Sequence, residues 1–510
     1  MQNGKLSFRN ALESHDTLSV TWELVPGRGA REKSQENVLR MAELAAKNPY
    51  INGITITDNP GGKPAILSLP LATEVLKLGI EPVIHLTCKD KNRNDIESEL
   101  YALARSGINN LLVMTGDYPT EGYKGLPKPV FDLDSVNALR LVNQMNNGIE
   151  ITSAKGQSAL QKTNFFAGAV VSPFKKSEAE LMNQYFKLHK KINAGAGFII
   201  TQLGYDVRKF DEIKKYIDTY GHNIALIGNI YVLTYMAAKL MNKNSIPGCV
   251  VSDEMLKTIE SEKTSNNFKE LQLLRSAKLY ALFKGLKYNG VNIGGNGLTN
   301  DDISYIIEKG QELSKNWQDV LEEIYYPQKG TFYYYNEGDS KYYNSKDPVD
   351  RKKTGPKKRS IVFAVFNIIH KIYFNRKSPL FPLLKLAARV IDKSFLNKPF
   401  TYFEYFIKTI TNQCRFCGDC VIHELGFICP MAICPKQQRN GACGGSTNEW
   451  CEVYPEKQKC IYVSMYGYFK ASGIEDKLKE GYIPPCNWEL HRTSSWLNFY
   501  LGRDYSGKEK

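Results

Sequence analysis

The residues best suited to chemistry are cysteines at short spacings: Cys414-Arg-Phe-Cys417-Gly-Asp-Cys420, then Cys429-Pro430, Cys434-Pro435, Cys443, Cys451, Cys460 and Cys486. Nine of the chain's eleven cysteines fall in its last hundred residues. In a reducing compartment such pairs are ligand pairs for soft metals rather than disulfides. Three cysteines at C-x2-C-x2-C spacing wrap one corner of a cubane iron–sulfur cluster, and a distant Cys-Pro supplies the fourth ligand. Cys414, Cys417 and Cys420 fit the first three roles, with Cys429 or Cys434 as the fourth. Tetrahedral zinc is the alternative to a [4Fe-4S] cluster, since thiolate zinc sites use the same pairs to hold a small fold together. Cys443, Cys451 and Cys460 either complete a second site or pack as apolar residues.

A second set of reactive types stands at the ends of short apolar runs. Glu23 closes one run, Thr57-Asp58-Asn59 the next, and His85-Leu-Thr-Cys88, Thr115-Gly-Asp117 and Thr201-Gln202 close three more. Singly, each has a plain structural account: an imidazole satisfying a carbonyl, a carboxylate capping a loop, an amide bridging one. Their joint placement at one end of the strands points instead to a shared polar mouth.

The elements that must position them alternate. Strands are expected at Leu18–Leu24, Gly53–Thr57, Pro82–Leu86, Asn110–Thr115, Phe165–Val171, Phe198–Thr201, Ile224–Asn229 and Gly290–Ile293. Amphipathic helices are expected between them, such as Gln35–Ala46, Asp95–Ser106, Asp134–Asn146, Glu178–Ala194, Val207–Tyr220 and Phe268–Lys287. Eight strands, most followed by a helix, predict a closed parallel (β/α)8 barrel of the TIM type, with chemistry at the strands' C-terminal ends. An open doubly wound sheet would need a G-x-G-x-x-G after its first strand, and Gly27-Arg-Gly29 is too short for one. The expected organisation is a barrel over residues 1–325, an aromatic and basic linker over 326–360, and a helical, cysteine-rich metal-binding domain over 361–510.

With 42% apolar and 24% charged residues in 510, the composition is that of a globular chain. The net charge is +14, and much of the visible bias lies in Arg351–Arg359. That run reads as a solvated linker rather than a nucleic-acid patch, and no zinc-finger recognition helix follows the cysteines. Ile361–Phe374 is apolar but short and interrupted by Asn367, His370 and Lys371, which suits a buried or docking helix rather than membrane insertion. The N-terminal residues carry no apolar leader, so a cytoplasmic address is expected.

Several stretches carry a family resemblance. Trp22-Glu23-Leu24-Val25-Pro26, His85-Leu-Thr-Cys88, Gly107 through Met114-Thr-Gly-Asp117-Tyr-Pro119, Phe131-Asp-Leu-Asp-Ser135 and Ala194 through Thr201-Gln202 resemble the catalytic barrel of methylenetetrahydrofolate reductases. The tail, from Cys414 to Asp504, resembles the cysteine-rich domain found with some bacterial reductases of that family.

The resemblance implies a flavin enzyme, with FAD or FMN, that passes a hydride from NAD(P)H to 5,10-methylenetetrahydrofolate and yields 5-methyltetrahydrofolate. The folate's five-membered ring must open to an iminium before it accepts hydride, and opening needs a proton at the leaving nitrogen, a task for a carboxylic acid of raised pKa. Glu23 matches the family's general acid and Asp117 the carboxylate between flavin and pterin. Gln202 suits the pterin edge, and Tyr235 falls near a substrate-stacking aromatic. Thr57, His85, Gly116 and Lys191 match flavin-contacting positions.

Two departures stand out. Thr115 replaces an arginine before Gly-Asp, and Val170-Val171-Ser172-Pro173-Phe174 replaces a tyrosine and histidine after strand five. Both remove contacts to the dinucleotide part of the flavin, so FMN or a differently held FAD fits. No separate nicotinamide domain is visible, which leaves room for a protein electron donor. An oligomer is expected. A catalytically silent metal-stabilised subunit that binds folate or docks an electron-transfer partner is the alternative reading.

Overall fold

The computed structural model describes residues 5–14, 17–153, 156–355, 357 and 360–508. The first residues of the chain and Lys358 and Arg359 of the basic run lie outside them. Among the described residues, eight parallel strands close into one barrel: β1 Ser19–Leu24, β2 Gly53–Ile56, β3 Glu81–Thr87, β4 Asn110–Met114, β5 Phe166–Val171, β6 Phe198–Thr201, β7 Ala225–Tyr231 and β8 Gly290–Gly294. They follow chain order, and β8 pairs back onto β1 with Trp22 opposite Ile293. The strands are apolar on both faces because helices cover the outside and side chains fill the inside; Ile54, Ile84, Leu111, Val113 and Ile199 are buried completely.

The bottom of the barrel is plugged. Helix Phe8–Glu13 sets Phe8 and Leu12 against Val83, Leu112, Phe198, Ile200 and Ile227, and Phe8 N–H donates to the Glu81 carboxylate at the start of β3 (2.9 Å). This leaves the C-terminal ends of the strands as the open mouth.

The helices begin where the sequence supplies caps. Asn92 with Asp95, Ser177 with Glu180, and Thr299 with Asp302 form reciprocal capping boxes at Arg93–Arg105, Glu178–Asn193 and Asn300–Leu313. Helix Glu178–Asn193 is buried along most of its length, because the tail covers the face that a barrel helix ordinarily turns to water. Tyr466 donates to Glu178 (2.6 Å), Lys470 pairs with the same carboxylate, and Asn183 donates to the Tyr462 carbonyl (3.0 Å).

Within residues 326–360, Tyr334 and Tyr335 are buried in the core cluster shared with the barrel. Tyr335–Glu337 and Asn344–Pro348 form an antiparallel hairpin seated on helix Val207–Thr219. Arg208 donates to Asn344 (2.9 Å) and to the Tyr335 carbonyl (3.1 Å), while Asn344 N–H donates to Asp211 (2.8 Å). Arg351, the first residue of the basic run, pairs with Asp476 of the tail (2.8 Å). A guanidinium held this way docks domains rather than only solvating a connection.

The tail opens with helices Ile361–Tyr373, Phe381–Asp392 and Asn397–Asn412. The cysteine-bearing stretch that follows is mostly irregular, stiffened by helices Ile461–Ala471 and Ser495–Leu501. A second short hairpin, Glu150–Ser153 with Gly156–Ala159, lies between β4 and β5.

Candidate active site

Glu23 is half-buried at the end of β1. Its carboxylate accepts from Asn292 Nδ2 (3.3 Å) on β8, and Asn292 Oδ1 in turn accepts from Thr21 (2.8 Å) and Thr55 (3.1 Å). Asn292 also reaches Asn229 on β7 (3.4 Å), so one buried amide ties together β1, β2, β7 and β8. Sequence reasoning missed it, although a lone Asn between Val291 and Ile293 in a buried strand was a usable signal.

Asp117 lies in the loop after β4 and accepts from Gly61 N–H (2.9 Å) in the loop after β2. The buried Cys249 thiol is pushed up to about 12, by burial first and then by the charges of Asp117 and Glu23, both of which are felt at this side chain. Asp58 accepts from Thr87 Oγ1 (2.8 Å) and Lys91 (2.8 Å), pinning the end of β2 to that of β3.

His85 is buried, and burial lowers its pKa against the opposing pull of Glu23 and Asp58, which keeps the ring neutral at pH 7. Its Nε2 has no hydrogen-bond partner among the described residues, and neither have the buried hydroxyls of Thr57 and Ser172. Three orphaned polar atoms at the ends of β2, β3 and β5 suit a ligand with hydrogen-bonding edges, since such groups seldom stay unpaired. Gly116 has φ +85°, and a Cβ there would meet Thr87 at 2.9 Å, so both its backbone conformation and its packing on β3 require glycine. These residues fit a flavin.

Lys191 lies in the last turn of helix Glu178–Asn193. It is buried, its Nζ donates to the Val170 carbonyl (2.5 Å), and burial, then Lys187, push its pKa down to about 7. Gln202 sits at the end of β6, with its Oε1 accepting from Leu203 N–H (2.9 Å). Tyr235 opens helix Tyr235–Asn242, donates to Glu260 (3.0 Å) and lies under the Lys263 ammonium at 4.4 Å. The Tyr231 phenol pKa rises through burial first and then the Glu23 charge.

The tail forms one wall of the mouth. Lys436 donates to the Gly116 carbonyl (2.8 Å), and Thr115 donates to Gln438 (3.1 Å), which also takes a hydrogen bond from the buried Lys187 (2.9 Å). Lys175, after β5, donates to the carbonyls of Gly444 and Ser446. Asp134 caps helix Ser135–Asn147 with one oxygen and accepts from Arg439 N–H, Asn440 N–H and the Asn440 amide with the other (3.2, 2.9 and 2.9 Å). Residues 436–446 thus form a strap over the β4–β5 side, where the two sequence departures lie.

The cysteines separate into two groups. Cys414, Cys417, Cys420 and Cys429 line one small cavity with Lys408 and Asp419, and Cys486 contacts Cys417. Cys434 does not join them. It lines a second cavity with Cys443, Cys451 and Cys460, beside Lys436 and Glu452, because the short helix Pro430–Ile433 turns the chain between Cys429 and Cys434. Among the described residues, no group of three or more His, Cys, Asp or Glu stands at the separations of a bound metal ion. A cavity of about 990 Å³ lies under helix Ile361–Tyr373.

Comparison with known proteins agrees with this architecture. The pattern of the family described as "Methylenetetrahydrofolate reductase" matches residues 7–274, and that described as "Methylene-tetrahydrofolate reductase C terminal" matches residues 394–489. Methylenetetrahydrofolate reductase 2 of Saccharomyces cerevisiae is 29% identical over 194 residues, covering 37% of this chain and 30% of the yeast protein. The 5,10-methylenetetrahydrofolate reductase of Pectobacterium carotovorum is 27% identical over 201 residues, covering 39% of this chain and 58% of its own length. That of Salmonella typhimurium is 24% identical over 220 residues, covering 43% and 66%. The matched region spans less than two thirds of each of these relatives. With the family pattern lying on the barrel that carries Glu23, Asp117 and Gln202, the chain belongs to the methylenetetrahydrofolate reductase family.

Proposed function

We propose that the barrel reduces 5,10-methylenetetrahydrofolate to 5-methyltetrahydrofolate with a bound flavin, in the cytoplasm, supplying methyl groups for methionine. The observation that carries this reading is Glu23, held by Asn292 at the end of β1, together with the unpartnered Thr57, His85 and Ser172 atoms at the ends of β2, β3 and β5. A flavin held by Thr57, His85, the Gly116 backbone and Lys191 would supply the hydride. Glu23 donates a proton to the leaving nitrogen of the folate, which opens the ring and makes the methylene carbon an acceptor. Asp117 stabilises the cationic iminium and hydrogen-bonds the pterin's amino edge, and Gln202 offers donor and acceptor to the rest of that edge. His85, held neutral, adds no competing positive charge. The strap on Thr115 and Lys175 supports FMN over FAD, because it lies where contacts to a dinucleotide would otherwise form.

For the tail we infer that Cys414, Cys417, Cys420 and Cys429 hold a thiolate-bound [4Fe-4S] cluster or zinc, and that Cys434, Cys443, Cys451 and Cys460 form a second such set. Four thiols around one cavity, with Lys408 beside the first and Lys436 beside the second to offset thiolate charge, suit either group. Lys436 lines the second cavity and also touches Gly116, which favours electrons reaching the flavin from a protein donor as well as from NAD(P)H.

The test is a visible spectrum and metal analysis of anaerobically purified chain, followed by separate half-reactions. Flavin absorbance, FMN by mass, and iron with sulfide or zinc near eight or two per chain are expected. Protein that neither carries nor takes up flavin would overturn the reductase reading. Glu23→Gln should leave flavin reduction by the donor within about threefold while folate reduction falls by about 10²-fold or more; equal loss in both would remove Glu23 from the acid role.

A further inference from the structure

The first two tail helices are apolar on both faces, and the third, Asn397–Asn412, turns Thr401, Glu404, Lys408 and Asn412 inward and aromatic side chains such as Tyr402 and Phe406 outward. Their inner faces are accounted for: Phe381, Leu384, Ala388 and Ile391 pack with Phe400, Leu497 and Tyr500, and Phe363 packs with Phe427 and Phe469. Their outer faces are not. Ile361 (85% exposed), Phe395 (87%), Tyr402 (71%) and Ile410 (70%) stand in water, with Val362, Leu383, Val390 and Phe406 each above 60%. Residues 361–410 hold 17 of the 30 large apolar side chains exposed among the described residues. A helix apolar all round belongs against something, and an apolar patch of this extent marks an interaction surface.

Charge says which kind. Residues 351–410 contain fourteen Lys and Arg against two acidic residues, a net +12 out of the chain's +14. The two acids are already engaged: Asp392 with Arg503 and the buried Glu404 with Lys408. Lys371, Arg376, Lys377, Arg389, Lys393 and Lys398 are exposed among the apolar side chains. A second copy of the chain would set this charge against its own image. Among the described residues no helix is long and apolar enough to cross a membrane, so a surface association is the one these helices can make.

We propose that helices Ile361–Tyr373, Phe381–Asp392 and Asn397–Asn412 dock the protein on an anionic lipid bilayer. The exposed apolar side chains enter the headgroup boundary, and the lysines and arginines engage lipid phosphates, the combination that gives stable interfacial binding where either alone is weak. The inference is independent of the reductase reading.

Vesicle co-sedimentation of the full chain tests it. Binding to equimolar phosphatidylglycerol and phosphatidylcholine vesicles is expected to exceed binding to pure phosphatidylcholine by tenfold or more, and to fall steeply by 0.5 M salt. Lys393→Glu and Lys398→Glu should each weaken it by about fivefold or more. Phe395→Ser combined with Phe406→Ser should weaken it about tenfold, with circular dichroism unchanged because both side chains are exposed. Absence of binding to the anionic vesicles, or equal and salt-insensitive binding to both kinds, would overturn the proposal. So would light scattering that shows a dimer which Phe395→Ser with Phe406→Ser dissociates, since the face would then be covered by a second copy.

Discussion

Asn292 holds Glu23 without being able to transfer a proton itself, which makes it a positioning residue with a distinctive signature. Asn292→Ala should leave Glu23, Thr21 and Thr55 without their shared partner, at a cost of about 1–3 kcal/mol in stability. It should also slow the folate half-reaction tenfold or more and displace the limb of its pH profile on which the rate falls as pH rises; denaturant titration and stopped-flow rates read these separately. Lys191 yields a proton-counting prediction. Its pKa is lowered to about 7, so above pH 7 the amine is largely neutral in the free chain, and an anionic phosphate beside it would favour the charged form. Flavin binding above pH 7 should therefore take up close to one proton, measured by calorimetry in buffers of different ionisation heat, and Lys191→Met should abolish the uptake. At this scale the sequence was legible where a polar type interrupts an apolar run at a strand end, as at Glu23 and Asp117. It was silent where burial depends on a distant segment: that Lys191 is buried on the Val170 carbonyl shows only once barrel and tail are in place.

The elements were read more completely than the side chains. All eight barrel strands lie within two residues of their expected bounds, because β-branched runs buried on both faces leave little freedom of assignment. The hairpin at Tyr335–Pro348 was not foreseen, since its strands are short, polar and held by the side chains of Arg208 and Asp211 rather than by an apolar pattern. The strap of residues 436–446 was equally illegible, being irregular backbone fixed by hydrogen bonds to residues three hundred positions earlier. Asp134 is where strap and helix meet. Asp134→Asn keeps one cap oxygen but sets an amide NH2 donor against the three N–H donors of Arg439 and Asn440, and should cost about 1–3 kcal/mol. Asp134→Ala removes cap and strap contacts together and should cost about 2–4 kcal/mol. Limited proteolysis should show cleavage within 436–446 rising in the same order.

Across the whole molecule, barrel and tail share one polar surface, so damage to either should be felt in both. Stripping metal with a chelator under anaerobic conditions should loosen the cysteine stretch and release Lys436 from Gly116; flavin should then dissociate several-fold faster, read by fluorescence on transfer to cofactor-free buffer. If metal leaves and flavin retention is unchanged, the tail is not a working wall of the mouth. The two sequence departures, Thr115 and the Val170–Phe174 stretch, make sense together at this scale, since both lie under the strap. The same strap sets an order of events during synthesis. Its residues leave the ribosome more than a hundred positions after the last barrel strand, a delay of roughly 7 to 30 s at ordinary elongation rates. For that interval the nascent barrel has a mouth with one side missing, a natural time for the flavin to enter before the end of the chain shuts the opening behind it.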